Sequence, residues 1–259
     1  MKVRIAFNEM LGEKFFRLRM VAPQRFDAEP GQFVMVRVSE YRDPFLPRPF
    51  SIADVNENRV DVIYEVRGRG TGILSRWETG TELLITGPLG NSFPFPEQGE
   101  SVIIVAGGIG IPPLYFFTKR LIKKGFQRRK IFFFYGARTG ESLILKNELK
   151  EMGVNLFFST DDGSEGFHGL ITDLLIDEIG DIPLPARAYA VGPNAMMSGV
   201  VEITRNLRIP SYVSLETTMA CGIGICLGCT VKPKEKYFRK LGYLKVCKDG
   251  PVFPGDYFF

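Results

Sequence analysis

Cys221, Cys226, Cys229 and Cys247 are the only thiols of this 259-residue chain, and all lie beyond residue 220. The first three read C-x4-C-x2-C, and the fourth follows after 17 residues. Four thiolates at this plant-type spacing hold the two irons of a [2Fe–2S] cluster, a one-electron carrier. Gly222, Gly224 and Gly228 lie between the thiols. Glycine lets such a loop wrap a small inorganic core and aim backbone N–H groups at its sulfurs. Ile223, Ile225 and Leu227 are expected to shield the site. Two other uses of the thiols compete. Structural zinc takes paired short spacings, and the second pair is missing. Disulfides belong to oxidising compartments, yet the first 215 residues show no signal peptide and no cysteine.

A second chemistry lies in glycine turns that follow apolar runs. Val102–Ala106 leads into Gly107-Gly108-Ile109-Gly110-Ile111-Pro112-Pro113. A glycine turn between strand and helix lets a pyrophosphate approach the backbone at the positive end of the helix dipole. A proline in the first helical turn loses no hydrogen bond. Tyr135-Gly136-Ala137-Arg138 and Val191-Gly192-Pro193-Asn194 end two further apolar runs with small residues. Ligands of doubly wound sheets bind at such strand ends. Upstream, Arg48-Pro49-Phe50-Ser51 and Arg67-Gly68-Arg69-Gly70-Thr71-Gly72 offer a guanidinium, hydroxyls and glycine N–H groups to phosphates. Taken alone, either reads first as an ordinary turn with charged flanks.

The elements that position these groups fall into three stretches. Residues 1–98 alternate in short runs broken by turn residues, the pattern of an antiparallel barrel or sandwich. From residue 99 to 215 continuous apolar runs near 102–106, 131–135, 154–159 and 187–191 alternate with helical segments near 112–124, 141–152, 170–179 and 195–207. That alternation makes a parallel sheet. Residues 216–259 form a short module with little regular pattern beyond the cysteines.

Composition narrows the field. Net charge is +4, and 45% of residues are hydrophobic, ample for sizeable cores. Basic residues gather at 119–130 and 232–248, but no recognition motif accompanies them, which argues against nucleic acid. The first group reads as a solvated helix end, the second as a docking surface beside the thiols. The uncharged stretch 101–118 is broken by three glycines and Pro112-Pro113, so it is no membrane span. A soluble, cytoplasmic chain follows. His168, the single histidine, sits in a glycine-rich loop and reads as a surface residue.

Taken in order, R-P-x-S at 48–51, G-x-G-T at 68–71, G-P-L-G-N at 87–91, G-G-I-G-x-x-P at 107–113, Y-G-x-R at 135–138, V-G-P-x-x-M at 191–196 and the cysteine segment resemble the ferredoxin–NADP reductase superfamily. Within it the chain is most similar to the electron-transfer subunits of type B dihydroorotate dehydrogenases. The resemblance implies an N-terminal antiparallel Greek-key barrel binding FAD (1–98), a parallel-sheet NAD-binding α/β domain (99–215) and a C-terminal [2Fe–2S] module (216–259). Arg48, Pro49, Phe50 and Ser51 would contact the flavin and its phosphate. Ile63, Tyr64 and Glu65 would line the flavin or its linker, and Gly70 and Thr71 would hold the pyrophosphate. Gly107, Gly108, Gly110 and Pro112, with Gly136, Arg138, Gly192 and Pro193, would bind NAD. The four cysteines would ligate the cluster. Two departures are visible. Glu65 stands where relatives commonly carry arginine, a charge that Arg67 on the same strand face could supply. Val191 stands where many relatives offer a cysteine to the nicotinamide.

A nicotinamide takes electrons in pairs and a cluster passes them singly, so a flavin must stand between. The resemblance implies a partner subunit with FMN that oxidises dihydroorotate, in a hetero-oligomer such as a heterotetramer, with NAD+ as final acceptor. Two other readings stay open. One is a reductase subunit exchanging electrons between NAD(P)H and a ferredoxin or hydrogenase. The other is a zinc-stabilised nucleotide-binding module without electron transfer. Arg138 favours a 2′-phosphate and Glu141 a ribose hydroxyl.

Overall fold

The structure is a computed structural model that describes residues 1–12, 14–39 and 43–259. Six strands, β1 (Lys2–Gly12), β2 (Phe15–Val21), β3 (Phe33–Val36), β4 (Arg48–Asn56), β5 (Arg59–Glu65) and β6 (Glu82–Leu89), close an antiparallel barrel in the order β1-β2-β5-β4-β3-β6. Strands β3, β4 and β5 pair consecutively, and β6 returns beside β3, the Greek-key order expected from the resemblance. The inward residues of each pleat, among them Ile5, Leu18, Val34, Ile52 and Val62, fill the barrel. The β2–β5 ladder ends at Phe15↔Glu65, which sets Lys14 beside Glu65. One short helix, α1 (Arg69–Leu74), follows β5.

The second half is a sheet flanked by helices. Its strands are β7 (Ser101–Gly107), β8 (Ile131–Ala137), β9 (Asn155–Thr160), β10 (Phe167–His168), β11 (Ala186–Val191) and β12 (Ser211–Ser214). The helices are α2 (Ile111–Lys123), α3 (Lys146–Glu151), α4 (Ile171–Glu178) and α5 (Asn194–Asn206). All six strands run parallel in the order β10-β9-β8-β7-β11-β12. Every residue of β7 is buried, which is why it reads as an unbroken apolar run.

The helix expected over 141–152 is shorter. Gly140–Ser142 forms a tight 3-10 turn, and Leu145 has φ 60°, so helix begins only at Lys146. Leu143, Ile144 and Leu145 turn into the core instead, and their burial outweighs the helix propensity of the segment.

The segment after β12 is more ordered than its sequence suggests. It contains β13 (Thr230–Val231), α6 (Glu235–Leu241), β14 (Leu244–Lys245) and β15 (Val252–Pro254). β13 and β14 form a small hairpin ladder. β15 joins the large sheet antiparallel to β12, in register Ser214↔Val252 to Tyr212↔Pro254. The backbone N–H of Leu215 also donates to the Pro251 carbonyl at 2.9 Å. The chain between these rungs is therefore an excursion from one strand end that returns to the same place.

The halves are joined along α2. Phe116 belongs to the barrel core, Lys119 pairs with Asp54 of β4, and Arg120 donates to the Ala28 carbonyl at 3.2 Å. Residues of the basic 119–130 group thus tie the two halves together. His168 is exposed and lies against Gly163. Asn91, the last residue of G-P-L-G-N, staples the barrel to the cysteine segment. Its Nδ2 donates to the carbonyls of Asp249 (3.0 Å) and Val252 (2.9 Å), and its Oδ1 accepts from Val252 N–H at 3.0 Å.

Asn91→Ala removes those three bonds at a partly exposed site, so the expected loss is about 1–2 kcal/mol of stability. A thermal melt checks it: a melting temperature equal to that of the wild type would refute the staple.

Candidate functional site

A cleft of about 260 Å³ opens where the barrel meets the sheet. Its barrel wall is Phe33, Arg48, Pro49, Phe50, Ser51, Ile63, Tyr64, Glu65, Arg67 and Thr71; its other wall is Ile109, Pro112, Ser214–Thr217, Met219 and Pro251. Every residue expected from the resemblance to contact the flavin or its diphosphate lines it except Gly70, which lies under Arg48. A β-carbon at Gly70 would sit 2.9 Å from Arg48 Nε, so only glycine lets the guanidinium lie on this turn. Arg48 Nη1 donates to the Leu46 carbonyl at 2.6 Å. Tyr64 stacks on Phe16 at 5.6 Å, and its hydroxyl meets Asn8 Oδ1 at 3.0 Å. Burial pushes this phenol's pKa up, so it stays neutral and contributes an aromatic surface.

Glu65 does not stand free in the cleft. Lys14 Nζ lies 2.6 Å from its Oε1, and Arg67 Nε pairs with its Oε2. Burial alone would raise its pKa; the hydrogen bonds from Lys14 and Arg67 outweigh that and hold it below the usual carboxylate range. Across the cleft, desolvation pushes the Glu216 carboxyl up; Arg67 opposes the shift and Glu65 adds to it. Glu216, Thr217, Met219, Pro251 and Phe33 were not singled out in the sequence. Ser214–Met219 follow β12 at the same carboxyl edge as the glycine turns. That edge was the available signal, had β12 been recognised.

The glycines of the β7–α2 turn do different jobs. A β-carbon at Gly110 would lie 2.2 Å from the Val191 carbonyl oxygen, and one at Gly107 would lie 2.8 Å from Pro193 Cδ. Gly192 in turn packs on Gly107, and Gly136 on Ile171. These four let strand ends and helix starts touch. Gly108 has φ 51° and open space beside it, so it is the turn residue left for a ligand to approach. The loops after β8 and β9 are joined: Asp162 N–H donates to the Arg138 carbonyl at 3.2 Å, and Gly140 N–H to Ser164 Oγ at 2.8 Å. This brings the Arg138–Glu141 loop beside Asp161 and Asp162.

The four cysteines form two pairs. Cys229 and Cys247 are buried with sulfurs 3.1 Å apart. Cys221 and Cys226 lie outward, and Cys221 Sγ accepts N–H bonds from Cys226 (3.4 Å) and Ile223 (3.5 Å). Those two N–H groups, Cys226 first, pull the Cys221 thiol down to about 6. Burial, then the neighbouring Cys229, pushes Cys247 up to about 12. Among the described residues no three His, Cys, Asp or Glu side chains converge as a single-ion site requires. Two thiol pairs match instead the donor set of a two-iron core, two thiolates to each iron. Ile223, Ile225 and Leu227, expected as a shield, are exposed. The inner pair is covered from the sheet side, in a core shared with Val246 and Met219.

Comparisons with known proteins agree with this layout. Residues 216–258 match the family described as the iron–sulfur cluster binding domain of dihydroorotate dehydrogenase B, and residues 104–202 match the oxidoreductase NAD-binding domain. The chain is 36% identical over 254 residues to the "dihydroorotate dehydrogenase B (NAD(+)), electron transfer subunit" of Caldanaerobacter subterraneus subsp. tengcongensis, covering 98% of this chain and 96% of that one. It is 38% identical over 231 residues to the subunit of the same name from Clostridium acetobutylicum, covering 89% and 86%. Among solved structures, a chain from the NADH-dependent reduced ferredoxin-NADP oxidoreductase, reported in work on flavin-based electron bifurcation, superposes with a TM-score of 0.85 at 32% identity, covering 98% of this chain and 88% of that one.

Gly110→Ala forces a β-carbon onto the Val191 carbonyl, and overpacking of this kind costs about 1–3 kcal/mol. The expected result is a lower melting temperature together with weaker NADH binding in a titration. Unchanged values for both would show that the turn tolerates the added methyl group.

Proposed function

From the chain's place in the family of dihydroorotate dehydrogenase B (NAD(+)) electron transfer subunits, to which it belongs, we propose that it carries electrons from a dihydroorotate-oxidising FMN subunit to NAD+ in pyrimidine biosynthesis. The observation that carries this reading is the path of residues 214–221. That stretch leaves β12, lines the cleft through Ser214–Thr217 and Met219, and delivers the chain to Cys221. One short piece of backbone thus borders both cofactor sites.

The residues fit the cofactors the family implies. Cys221 with Cys226, and Cys229 with Cys247, would hold the [2Fe–2S] cluster; the cleft would hold FAD; the Gly108 turn would receive the NAD pyrophosphate. When bound, the cluster supplies one-electron transfer, and the flavin converts between single electrons and hydride. The protein's own contribution is placement and exclusion. Ile63, Tyr64 and Phe50 give the flavin ring an apolar bed, Arg48 and Arg67 give the phosphates cationic donors, and the Thr71 hydroxyl holds their turn by donating to the Gly68 carbonyl and accepting from Arg67 N–H. Ile109, in the turn after β7, and Pro112, in the first turn of α2, reach into the same cleft. The nicotinamide end of a dinucleotide on Gly108 therefore points there, and the adenosine end runs the other way, over β8 and β9. At that edge Glu141, Asp161 and Asp162 outnumber Arg138. Carboxylates there accept a ribose hydroxyl and repel a 2′-phosphate, which supports NAD over NADP.

The functional units we propose are residues 1–98 for FAD, 99–215 for NAD and 216–259 for the cluster, with β15 returned to the sheet of the second. We place the assembly in the cytoplasm as a hetero-oligomer such as a heterotetramer, in keeping with free thiols. No helix among the described residues is long and apolar enough to cross a membrane. The exposed Ile223, Ile225 and Leu227, with Lys248 beside Gly224 of the same loop, are the surface we assign to the FMN subunit.

Co-expression with an FMN-type dihydroorotate dehydrogenase tests the whole reading. The complex is expected to form NADH from dihydroorotate, and Cys226→Ala is expected to lose the cluster's visible absorption and most of that activity while flavin stays bound. Full NADH formation by Cys226→Ala would refute the relay through the cluster. Co-purification with a hydrogenase or ferredoxin-type protein, without dihydroorotate-dependent activity, would favour the other reductase reading.

A further inference from the structure

Glu65 is an anomaly in the cleft described above. It is an acid on the wall assigned to a dianionic diphosphate, and its side chain is only 10% exposed. A buried carboxylate without partners is costly, and beside a phosphate it repels. The structure gives it two partners and gives one of them a free end. Lys14, placed by the end of the β2–β5 ladder, lies 2.6 Å from Oε1. Arg67 meets Oε2 through Nε alone. A guanidinium carries five N–H donors in a rigid plane, so fixing Nε fixes the direction in which both terminal nitrogens point. Those nitrogens have no hydrogen-bond partner among the described residues, and Arg67 borders the cleft. Its backbone is held too: Arg67 N–H donates to Thr71 Oγ1 at 3.0 Å, tying the arginine to the turn on which Arg48 lies. Glu216, on the opposite wall, is also within electrostatic reach of Arg67.

We infer that Arg67 is the arginine that grips the flavin diphosphate from this wall, and that Glu65 is a positioning residue that aims it. Lys14 cancels the carboxylate's remaining charge, so the trio presents one net positive charge to the ligand. The arginine expected at position 65 from the resemblance is thereby replaced by one two residues further on, and the acid serves as its bracket. This assignment rests on the FAD reading of the cleft.

The test uses the full chain stripped of flavin, titrated with FAD and with riboflavin, which has the same ring and no phosphate. Wild type, Arg67→Met, Glu65→Gln and the double variant are compared. Charged hydrogen bonds of this kind correspond to roughly tenfold or more in affinity. Arg67→Met is therefore expected to weaken FAD about tenfold or more and leave riboflavin unchanged, which also shows that the cleft is folded. Glu65→Gln is expected to weaken FAD by a smaller factor, and to have no further effect in the Arg67→Met background, as a residue acting through another must. The assignment is overturned by tighter FAD binding by Glu65→Gln, by an undiminished effect of Glu65→Gln in the double variant, or by equal losses of FAD and riboflavin with Arg67→Met. A wild-type chain that binds neither flavin overturns the FAD reading and this assignment together. FAD binding by the wild type and equally tight binding by Arg67→Met overturns this assignment alone.

Discussion

The rung that pairs Ser214 with Val252 holds the molecule's two chemistries together. β12 ends there and β15 begins there, so the cysteine segment leaves the sheet and re-enters it at one point. The Leu215–Pro251 and Asn91 hydrogen bonds close the same neck from the barrel side. A segment with so few regular elements would otherwise be a loose appendage. Pinned at both ends, it buries Cys229 and Cys247 in the core it shares with the sheet, and presents Cys221 and Cys226 at the surface.

The neck also explains the cleft. Ser214–Met219 form its far wall because β12 delivers them there, while the turn after β7 brings Ile109 and the first turn of α2 brings Pro112. Both depend on close backbone contacts between the ends of β7 and β11, where Gly107 meets Gly192 and Gly110 meets Val191. Glycine motifs of this kind are usually discussed as phosphate cradles. Here most of them are packing devices, and Gly108 alone is open. The charges are arranged as closely: Lys14, Glu65 and Arg67 together carry one net positive charge, beside that of Arg48 on the same wall of the cleft.

Much of this was legible before any coordinates. The barrel and the parallel sheet follow from period-two runs and from unbroken apolar strands such as β7, and the thiol spacing points to a two-iron core. What was hidden depends on distant partners. β15 is three residues long, Val252–Pro254, and becomes a strand only because β12 offers an edge. Leu145 ends a helical pattern because its side chain is needed in the core. Ile223, Ile225 and Leu227 look like a shield in one dimension and face outward in three. Glu65 looks like an unpaired acid among basic residues until Lys14, in the β1–β2 turn, is seen beside it.

The closing of the sheet by β15 sets an order of manufacture. Cys247 and Val252–Pro254 leave the ribosome after the barrel, the glycine turns and the first three cysteines. Until they do, the fourth thiol is missing, the neck is open and Ser214–Met219 have no strand to hold them against the cleft. A cluster that takes four thiolates therefore has no complete donor set until Cys247 is present. A chain cut between Cys229 and Cys247 would lose the fourth thiol and β15 together, and with them the neck that holds Ser214–Met219 against the cleft.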